Sequence, residues 1–165
     1  MEVIPGLYHL RSIIIGQQIT PGGMYATQRD FGAPIGLSAE RPDLKSQLWR
    51  IKRADNNTYY IENAQKYPPG VELTGFHNHS LANDSPLTLD QPKKFRIRPV
   101  PRNAGENGFY VIEPTGIHIE DSYYCVGGNE HSQQVVIKVL PLDLPEDERP
   151  GWVFMPVYSG DEATA

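Results

Sequence analysis

The sequence GLYHLRSI at residues 6–13 places a tyrosine among aliphatic residues directly after a turn residue. The same arrangement returns as Tyr59-Tyr60-Ile61 and again as Phe109-Tyr110-Val111-Ile112. The central tyrosines of the three segments, at positions 8, 60 and 110, stand 52 and 50 residues apart. Self-similarity at a period near fifty residues is typical of an architecture built from repeats. The chain therefore reads as three related units.

A second marker follows each tyrosine segment, because a large aromatic residue opens the last strand of every unit: Trp49, Phe95 and Trp152. Helices are not expected, since proline and glycine interrupt almost every window long enough for one. Short β-branched and aromatic runs bounded by turn residues indicate about twelve strands instead. Gly127-Gly128-Asn129 is predicted to be a hairpin turn. The predicted strands are residues 6–13, 24–28, 34–40, 47–54, 58–64, 71–77, 86–90, 93–100, 108–115, 122–128, 134–142 and 151–157.

Three units of four strands predict an all-β fold of the β-trefoil type, a six-stranded barrel capped by three hairpins. Equivalent aromatic residues fill the barrel, and closure removes exposed strand edges. A propeller is excluded because three blades are too few to close a ring. We predict one domain over residues 1–165, with repeats at roughly 6–54, 58–101 and 108–158. An acidic, proline-bounded insertion at 143–150 lengthens the third unit and is either a tolerated or a functional surface loop.

The net charge and the single cysteine bear on which partners the protein can bind and on what its fold depends. A net charge of -5 and a pI near 5.5 argue against nucleic-acid binding, which requires a basic face. Cys125 is the single cysteine, so the fold does not depend on an internal disulfide. Without a signal-peptide pattern or an apolar run of membrane-spanning length, we expect a cytoplasmic monomer, with unconventional release left open.

No motif demands an enzyme, because neither a nucleophile elbow nor a phosphate-binding loop is present. Cys125 lies in an apolar strand, where a free cysteine is usually a small buried hydrophobic residue. His77 and His79 could bind zinc together with His118 or His131, but no third ligand is identifiable. We therefore expect no catalysis, no metal and no cofactor.

Two kinds of binding protein remain, a lectin and an inhibitor. Gln47-Leu48-Trp49 resembles the Gln-x-Trp signature of ricin-type β-trefoil lectins, which recurs in each repeat of those proteins. The equivalent positions here, Lys93-Lys94-Phe95 and Pro150-Gly151-Trp152, lack the glutamine. The alternative interpretation is that the three aromatic residues belong to the barrel core, and we favour it.

The inhibitor interpretation has more support from the sequence. The runs GLYHLRSI (6–13), PGGMYAT (21–27), QLWRI (47–51) and PGWVFMPV (150–157) resemble the mushroom β-trefoil protease inhibitors of the cospin, mycocypin and cocaprin type. PGGMYAT is the most specific of these runs. The resemblance implies reversible protease inhibition through surface loops, without catalysis or cofactor, in defence against feeders or parasites.

In the mycocypins, a glycine pair between the first two strands enters the cleft of papain-like cysteine proteases. Pro21, Gly22 and Gly23 correspond to that loop. A loop tip without Cβ atoms lets the backbone enter a narrow cleft. The alternative is an ordinary Pro-Gly turn.

The resemblance implies further loops. Cospin-type members present to trypsin an arginine between the second and third strands, which corresponds to Arg29; a solvated surface arginine is the alternative. Clitocypin-type members use an asparagine between the fifth and sixth strands against legumain, which corresponds to Asn63, and Lys66 offers another basic anchor. A second papain-contacting loop would lie near residues 40–46, where no motif residue matches. Some relatives inhibit aspartic proteases, for which the insertion at 143–150 is a candidate.

Overall fold

A computed structural model of the protein describes residues 3–41, 45–65, 68–100, 108–117 and 121–157. Within these ranges the chain forms twelve strands and two 3₁₀ turns, at Lys45–Gln47 and Glu146–Glu148, which confirms the predicted all-β class. Lys66 and His118 lie outside the described residues. The strands are β1 (Gly6–Ile14), β2 (Met24–Thr27), β3 (Gly36–Ala39), β4 (Trp49–Asp55), β5 (Thr58–Asn63), β6 (Gly75–Asn78), β7 (Leu87–Asp90), β8 (Phe95–Pro99), β9 (Phe109–Pro114), β10 (Ser122–Asn129), β11 (Gln134–Pro141) and β12 (Pro150–Pro156).

Six of the strands form a closed barrel. β1 pairs with β4, β4 with β5, β5 with β8, β8 with β9, β9 with β12, and β12 returns to β1. The last of these pairings is long, running from Tyr8 opposite Pro156 to Ile14 opposite Pro150. Closure satisfies the backbone groups that an open sheet would leave at its edges. This is the barrel of a β-trefoil.

Three hairpins, β2–β3, β6–β7 and β10–β11, cap one end of the barrel. They meet through the segments 34–36, 86–88 and 134–136. The three segments form a ring of β-bridges, in which Pro34 pairs with Thr88, Pro86 with Val136, and Gln134 with Gly36. Backbone hydrogen bonds of 2.8 Å join the Ile35 N–H to the Leu87 carbonyl and the Val135 N–H to the Ile35 carbonyl. The central side chains of the three segments are 0% exposed: Ile35, Leu87 and Val135.

The aromatic markers belong to the core, as the favoured interpretation predicted. Trp49, Phe95 and Trp152 are each 0% exposed. Each indole N–H donates a 2.9 Å hydrogen bond to a carbonyl of the hairpin in its own repeat, Trp49 to Ala26 and Trp152 to Val126. A buried indole needs such a partner. Phe95 has no N–H to satisfy.

The predicted hairpin turn at Gly127-Gly128-Asn129 is wrong, because β10 continues through Asn129 and the chain turns at residues 130–133. The glycines serve close packing instead. A Cβ atom at Gly127 would lie 2.8 Å from the Pro150 Cβ, and one at Gly128 would collide with the side chains of Ser12 and Leu37. Glycine inside a strand often marks this kind of close approach.

Cys125 is fully buried beside Val111 and Ile15. Burial, reinforced by the nearby charge of Glu113, raises the pKa of Cys125 to about 12. The thiol therefore stays protonated at neutral pH and is a poor nucleophile. No helix in the described ranges is long and apolar enough to cross a membrane.

The meeting point of the segments 34–36, 86–88 and 134–136 is called here the hairpin junction. Removing a buried side chain from its centre should lower the stability of the protein strongly. Leu87→Ala should lower the free energy of unfolding by about 2–5 kcal/mol, since it leaves a cavity where three hairpins meet. Urea unfolding monitored by tryptophan fluorescence measures this change. Leu142→Ala is the matched control, because Leu142 is 54% exposed and should shift the midpoint little; equal effects of the two variants would contradict the prediction.

Candidate functional site

The loop between β1 and β2, residues 15–23, is called here the first loop. Pro21, Gly22 and Gly23 are all exposed near its end. Gly22 has φ 91° and Gly23 has φ 99°, in the left-handed region that favours glycine. A Cβ atom at Gly22 would meet nothing within 4 Å. Gly22 is therefore bare backbone at an open surface.

Gly23 has a different environment from its neighbour. Arg11, which projects from β1, lies across it, so a Cβ atom at Gly23 would be 2.7 Å from the Arg11 Cζ and 2.9 Å from its Nη2. The same Nη2 donates a 2.6 Å hydrogen bond to the Thr20 carbonyl. The glycine pair thus combines one open residue with one that accommodates an arginine.

The start of the first loop contacts the loop between β11 and β12, residues 142–149, here called the β11–β12 loop. The Ile15 N–H donates to the Arg149 carbonyl at 2.9 Å, and the Gly16 N–H donates to the Asp147 carbonyl at 2.7 Å. A Cβ atom at Gly16 would lie 2.7 Å from both the Cβ and the carbonyl oxygen of Asp147. The predicted acidic insertion therefore packs directly against the first loop.

Arg149 fixes the β11–β12 loop internally. Its Nε donates to the Leu144 carbonyl at 3.0 Å, and its Nη2 donates to the Leu142 carbonyl at 3.1 Å. The guanidinium stands 4.2 Å from the centroid of the Tyr123 ring on β10, a favourable cation–π geometry. One side chain thus closes the loop and attaches it to β10.

Arg98 makes a second attachment, through a 2.9 Å ion pair from its Nη1 to the Glu146 carboxylate. Glu113, only 9% exposed, accepts a 2.6 Å hydrogen bond from the Tyr123 hydroxyl. Burial, followed by this hydrogen bond, raises the pKa of Tyr123. The phenol therefore remains a neutral donor at physiological pH.

The loop between β2 and β3, residues 28–35, is called here the second loop. Arg29 is exposed, but its side chain lies against Gly36 at the start of β3. A Cβ atom at Gly36 would be 2.7 Å from the Arg29 Nη2 and 2.8 Å from its Cζ. Arg29 also lines a shallow depression with Pro34 and Gln134. In this conformation the guanidinium rests on the protein surface.

The tip of the second loop is a tight turn, closed by a 3.1 Å hydrogen bond from the Ala33 N–H to the Asp30 carbonyl. Gly32 has φ 74° and donates a 2.6 Å backbone hydrogen bond to Leu89 of β7. Phe31, at the apex, is 49% exposed. Asp30 and Gly32 are residues that favour turns, but no feature of the sequence marked Phe31 as an exposed aromatic residue at this loop.

The structure does not bring the two glycines and Arg29 into one site. The first loop precedes Met24 and the second loop follows Thr27, so the loops leave opposite ends of β2. Four residues of extended strand separate them by about 13 Å. The two loops are separate candidate sites.

Asn63 is not presented at the surface, since it is only 5% exposed. Its side-chain amide donates to the Leu48 carbonyl at 3.2 Å, and its Oδ1 accepts from the Gln65 N–H at 3.1 Å. A protease could engage this side chain only after these bonds broke. The placement disfavours a legumain contact through Asn63, which stays a prediction.

Gln47, the glutamine of the lectin-like triplet, is 0% exposed. Its Nε2 donates to the Ser38 hydroxyl at 3.0 Å and the Ala39 carbonyl at 2.8 Å, while its Oε1 accepts from the Arg41 N–H at 2.8 Å. The residue therefore locks β3 to the turn that precedes β4. Its hydrogen-bonding groups already have protein partners, so nothing here points to a sugar ligand at Gln47.

His77 and His79 do lie side by side, with ring centroids 4.4 Å apart. The His79 Nε2 is 3.2 Å from the Asp90 carboxylate, and the His77 Nδ1 is 2.9 Å from the Gln91 carbonyl. Across the part of the chain that the structure describes, no cluster of three or more His, Cys, Asp or Glu side chains could hold a metal ion.

A closed six-stranded barrel capped by three hairpins, with exposed connecting loops, defines the β-trefoil class of protein. Residues 6–154 match the family described as peptidase inhibitor clitocypin. The chain belongs to this family of peptidase inhibitors, and it is accordingly an inhibitor rather than an enzyme. No curated protein sequence matches it significantly.

Solved structures support the fold. The agglutinin of Rhizoctonia solani aligns with a TM-score of 0.61 at 14% identity, over 95% of this chain and 99% of its own. ThreeFoil, a designed three-fold symmetric protein, aligns with a TM-score of 0.59 at 10% identity, over 92% and 99%. Cry35Ab1 aligns at 0.52 and 12% identity over 93% of this chain but 36% of its own. At such identities the similarity shows the β-trefoil fold alone.

Because the Arg29 side chain lies on Gly36, we expect substitutions at these two residues to have non-additive effects on the free energy of unfolding. Gly36→Ala should destabilise the protein by at most about 1 kcal/mol, because its Cβ displaces only the guanidinium end of the flexible Arg29 side chain. The same change in an Arg29→Ala background should cost clearly less. A double-mutant cycle by urea unfolding measures the difference; equal effects of Gly36→Ala in both backgrounds would show that the arginine does not rest there.

Proposed function

We propose that the protein inhibits papain-like cysteine proteases through the first loop and trypsin-like serine proteases through the second loop. The observation that carries the first part is the open space around Gly22, where a Cβ atom would meet nothing within 4 Å. Bare backbone at the tip suits a narrow catalytic cleft, since no side chain of the inhibitor has to be accommodated.

The supports beneath the first loop favour tight binding. An inhibitory loop that is disordered in the free protein loses conformational entropy on binding, and that loss weakens the complex. Here the loop is held near one end by the carbonyls of Arg149 and Asp147, and near the other by Arg11. The first loop is therefore ordered before it meets the protease, and little conformational entropy is lost on binding.

The second part of the proposal rests on the exposed position of Arg29 beside a well-anchored turn. A guanidinium that enters a deep pocket with a carboxylate at its floor forms a desolvated, charge-assisted contact of the kind that dominates interfaces. Arg29 must first leave the surface of Gly36. Arg29 is itself exposed while Gly36 is buried, so this step is a rotation of the arginine side chain that uncovers the backbone at Gly36.

The first experiment is a titration of the purified protein against papain, trypsin, legumain and pepsin. We expect inhibition of papain and of trypsin. The legumain and pepsin arms test the loop that follows β5 and the β11–β12 loop. If none of the four enzymes is inhibited at micromolar concentration, the proposal fails, and a glycan array then tests the lectin alternative.

Three open glycines allow a controlled test of the first loop. Gly22, Gly32 and Gly70 all have positive φ, and a Cβ atom at any of them would meet nothing within 4 Å. Asparagine tolerates positive φ better than most residues. Gly22→Asn should weaken papain inhibition at least about tenfold, or ~1.4 kcal/mol, because a side chain now occupies the tip. Inhibition constants from a chromogenic peptide substrate measure the change.

The two other glycines give the controls. Gly32→Asn places the same side chain on the second loop, and Gly70→Asn places it between β5 and β6. Both should leave papain inhibition near the wild-type level. Loss of papain inhibition in all three variants would point to a general effect on folding, and its retention in Gly22→Asn would remove the first loop as the site.

Arg29 gives a separate test against trypsin. Arg29→Ala should weaken trypsin inhibition by about 2–4 kcal/mol, as expected for an anchor residue, whereas Arg29→Lys should retain most of it. Papain inhibition should not change in either variant. Competitive inhibition assays with both enzymes measure this; an alanine variant that still blocks trypsin fully would place the anchor elsewhere.

A further inference from the structure

Residues outside the first loop hold it at two places, one near each end of the loop. Arg11 belongs to β1, yet it reaches the far end of the loop, where it donates to Thr20 and covers Gly23. Asp147 and Arg149 belong to the β11–β12 loop, yet their carbonyls bind the N–H groups of Gly16 and Ile15. Asp147 and Arg149 contact the start of the loop, whereas the Arg11 guanidinium lies against Gly23, the residue that follows the open Gly22.

Arg11 and Gly23 fit each other as a pair. The guanidinium is flat, and it occupies the space that a Cβ atom at position 23 would need. A lysine would keep the charge and a donor for the Thr20 carbonyl, but it could not lie as a plane on the glycine. Any other residue at position 23 would also be strained, since φ there is 99°.

The β11–β12 loop is a firm support for the other end. Arg149 closes it on itself and stacks on Tyr123, while Glu146 is paired with Arg98 of β8. Contacts with the barrel strand β8 and with the hairpin strand β10 therefore hold this loop in place. Gly16 is needed because the Asp147 backbone approaches too closely for a side chain.

We propose that Arg11 is a positioning residue for protease inhibition and that the β11–β12 loop is the second half of the same support. This inference rests on the proposed action of the first loop. Together the two supports keep the loop in its binding-competent shape without contacting the protease. When only a fraction of molecules is competent, apparent affinity falls by that fraction.

Positioning and direct contact affect different rate constants. Loss of a contact with the protease mainly speeds dissociation. Loss of positioning lowers the fraction of competent loops, so it mainly slows association. Stopped-flow measurement of papain binding separates the two effects.

We expect Arg11→Ala to lower the association rate constant about tenfold, with dissociation changed less than about twofold. Arg11→Lys should recover part of the loss through its remaining bond to Thr20. Arg96→Ala is the control, because Arg96 is an arginine on another barrel strand, is more exposed than the half-buried Arg11, and pairs among the described residues with Glu113 at 3.7 Å. Arg96→Ala should associate with papain at the wild-type rate. Trypsin inhibition should stay at the wild-type level in Arg11→Ala, Arg11→Lys and Arg96→Ala.

Gly16→Ala tests the other support, since its Cβ would push the first loop away from Asp147. It should slow association with papain as Arg11→Ala does, whereas Gly70→Ala should not. Hydrogen–deuterium exchange over residues 17–23 should become faster in both Gly16→Ala and Arg11→Ala.

The outcomes separate the two proposals. If the wild type does not inhibit papain, the proposed action of the first loop fails and this inference fails with it. If the wild type inhibits papain but Arg11→Ala associates at the wild-type rate, only the positioning role is overturned. A selective increase in dissociation would likewise overturn it, by showing that Arg11 touches the protease.

Discussion

The junction of the three hairpins is the constraint on which the rest of the structure depends. Each of the segments 34–36, 86–88 and 134–136 pairs with both of the others, so none has its final partners until all three are present. Their central side chains fill the space between them without residual exposure. Once this ring forms, the ends of all three hairpins are fixed, and with them the directions in which the loops leave the barrel.

The three-fold repeated parts of the chain and the candidate functional site are different regions of the molecule. The barrel and the junction use equivalent positions in all three repeats, as Trp49 and Trp152 show by donating to matching hairpin carbonyls. The first loop belongs to the first repeat and the β11–β12 loop to the third, and the two loops meet beside the β1–β12 pairing. The candidate site therefore arises where the first and third repeats adjoin, rather than within one repeat.

The sequence predicted the fold well, because burial in a repeated barrel leaves a periodic pattern of large residues. It failed at Gly127 and Gly128, since glycine marks a turn and a close strand approach equally well, and only the position of Pro150 and Ser12 decides between them. The exposed loop at Gly22 was predicted from its turn chemistry. The burial of Asn63, by contrast, depends on carbonyls that only the tertiary structure brings near.

The pairing of β1 with β12 joins the strand nearest the amino end to the last strand of the fold. During synthesis on the ribosome, β4 can pair with β1 early, but β12, the other barrel neighbour of β1, emerges only after the ten strands between them. Contacts of such long sequence separation slow folding and leave intermediates with open edges. The barrel can therefore close only late, and until then the edge of β1 that β12 will cover stays open to mispairing.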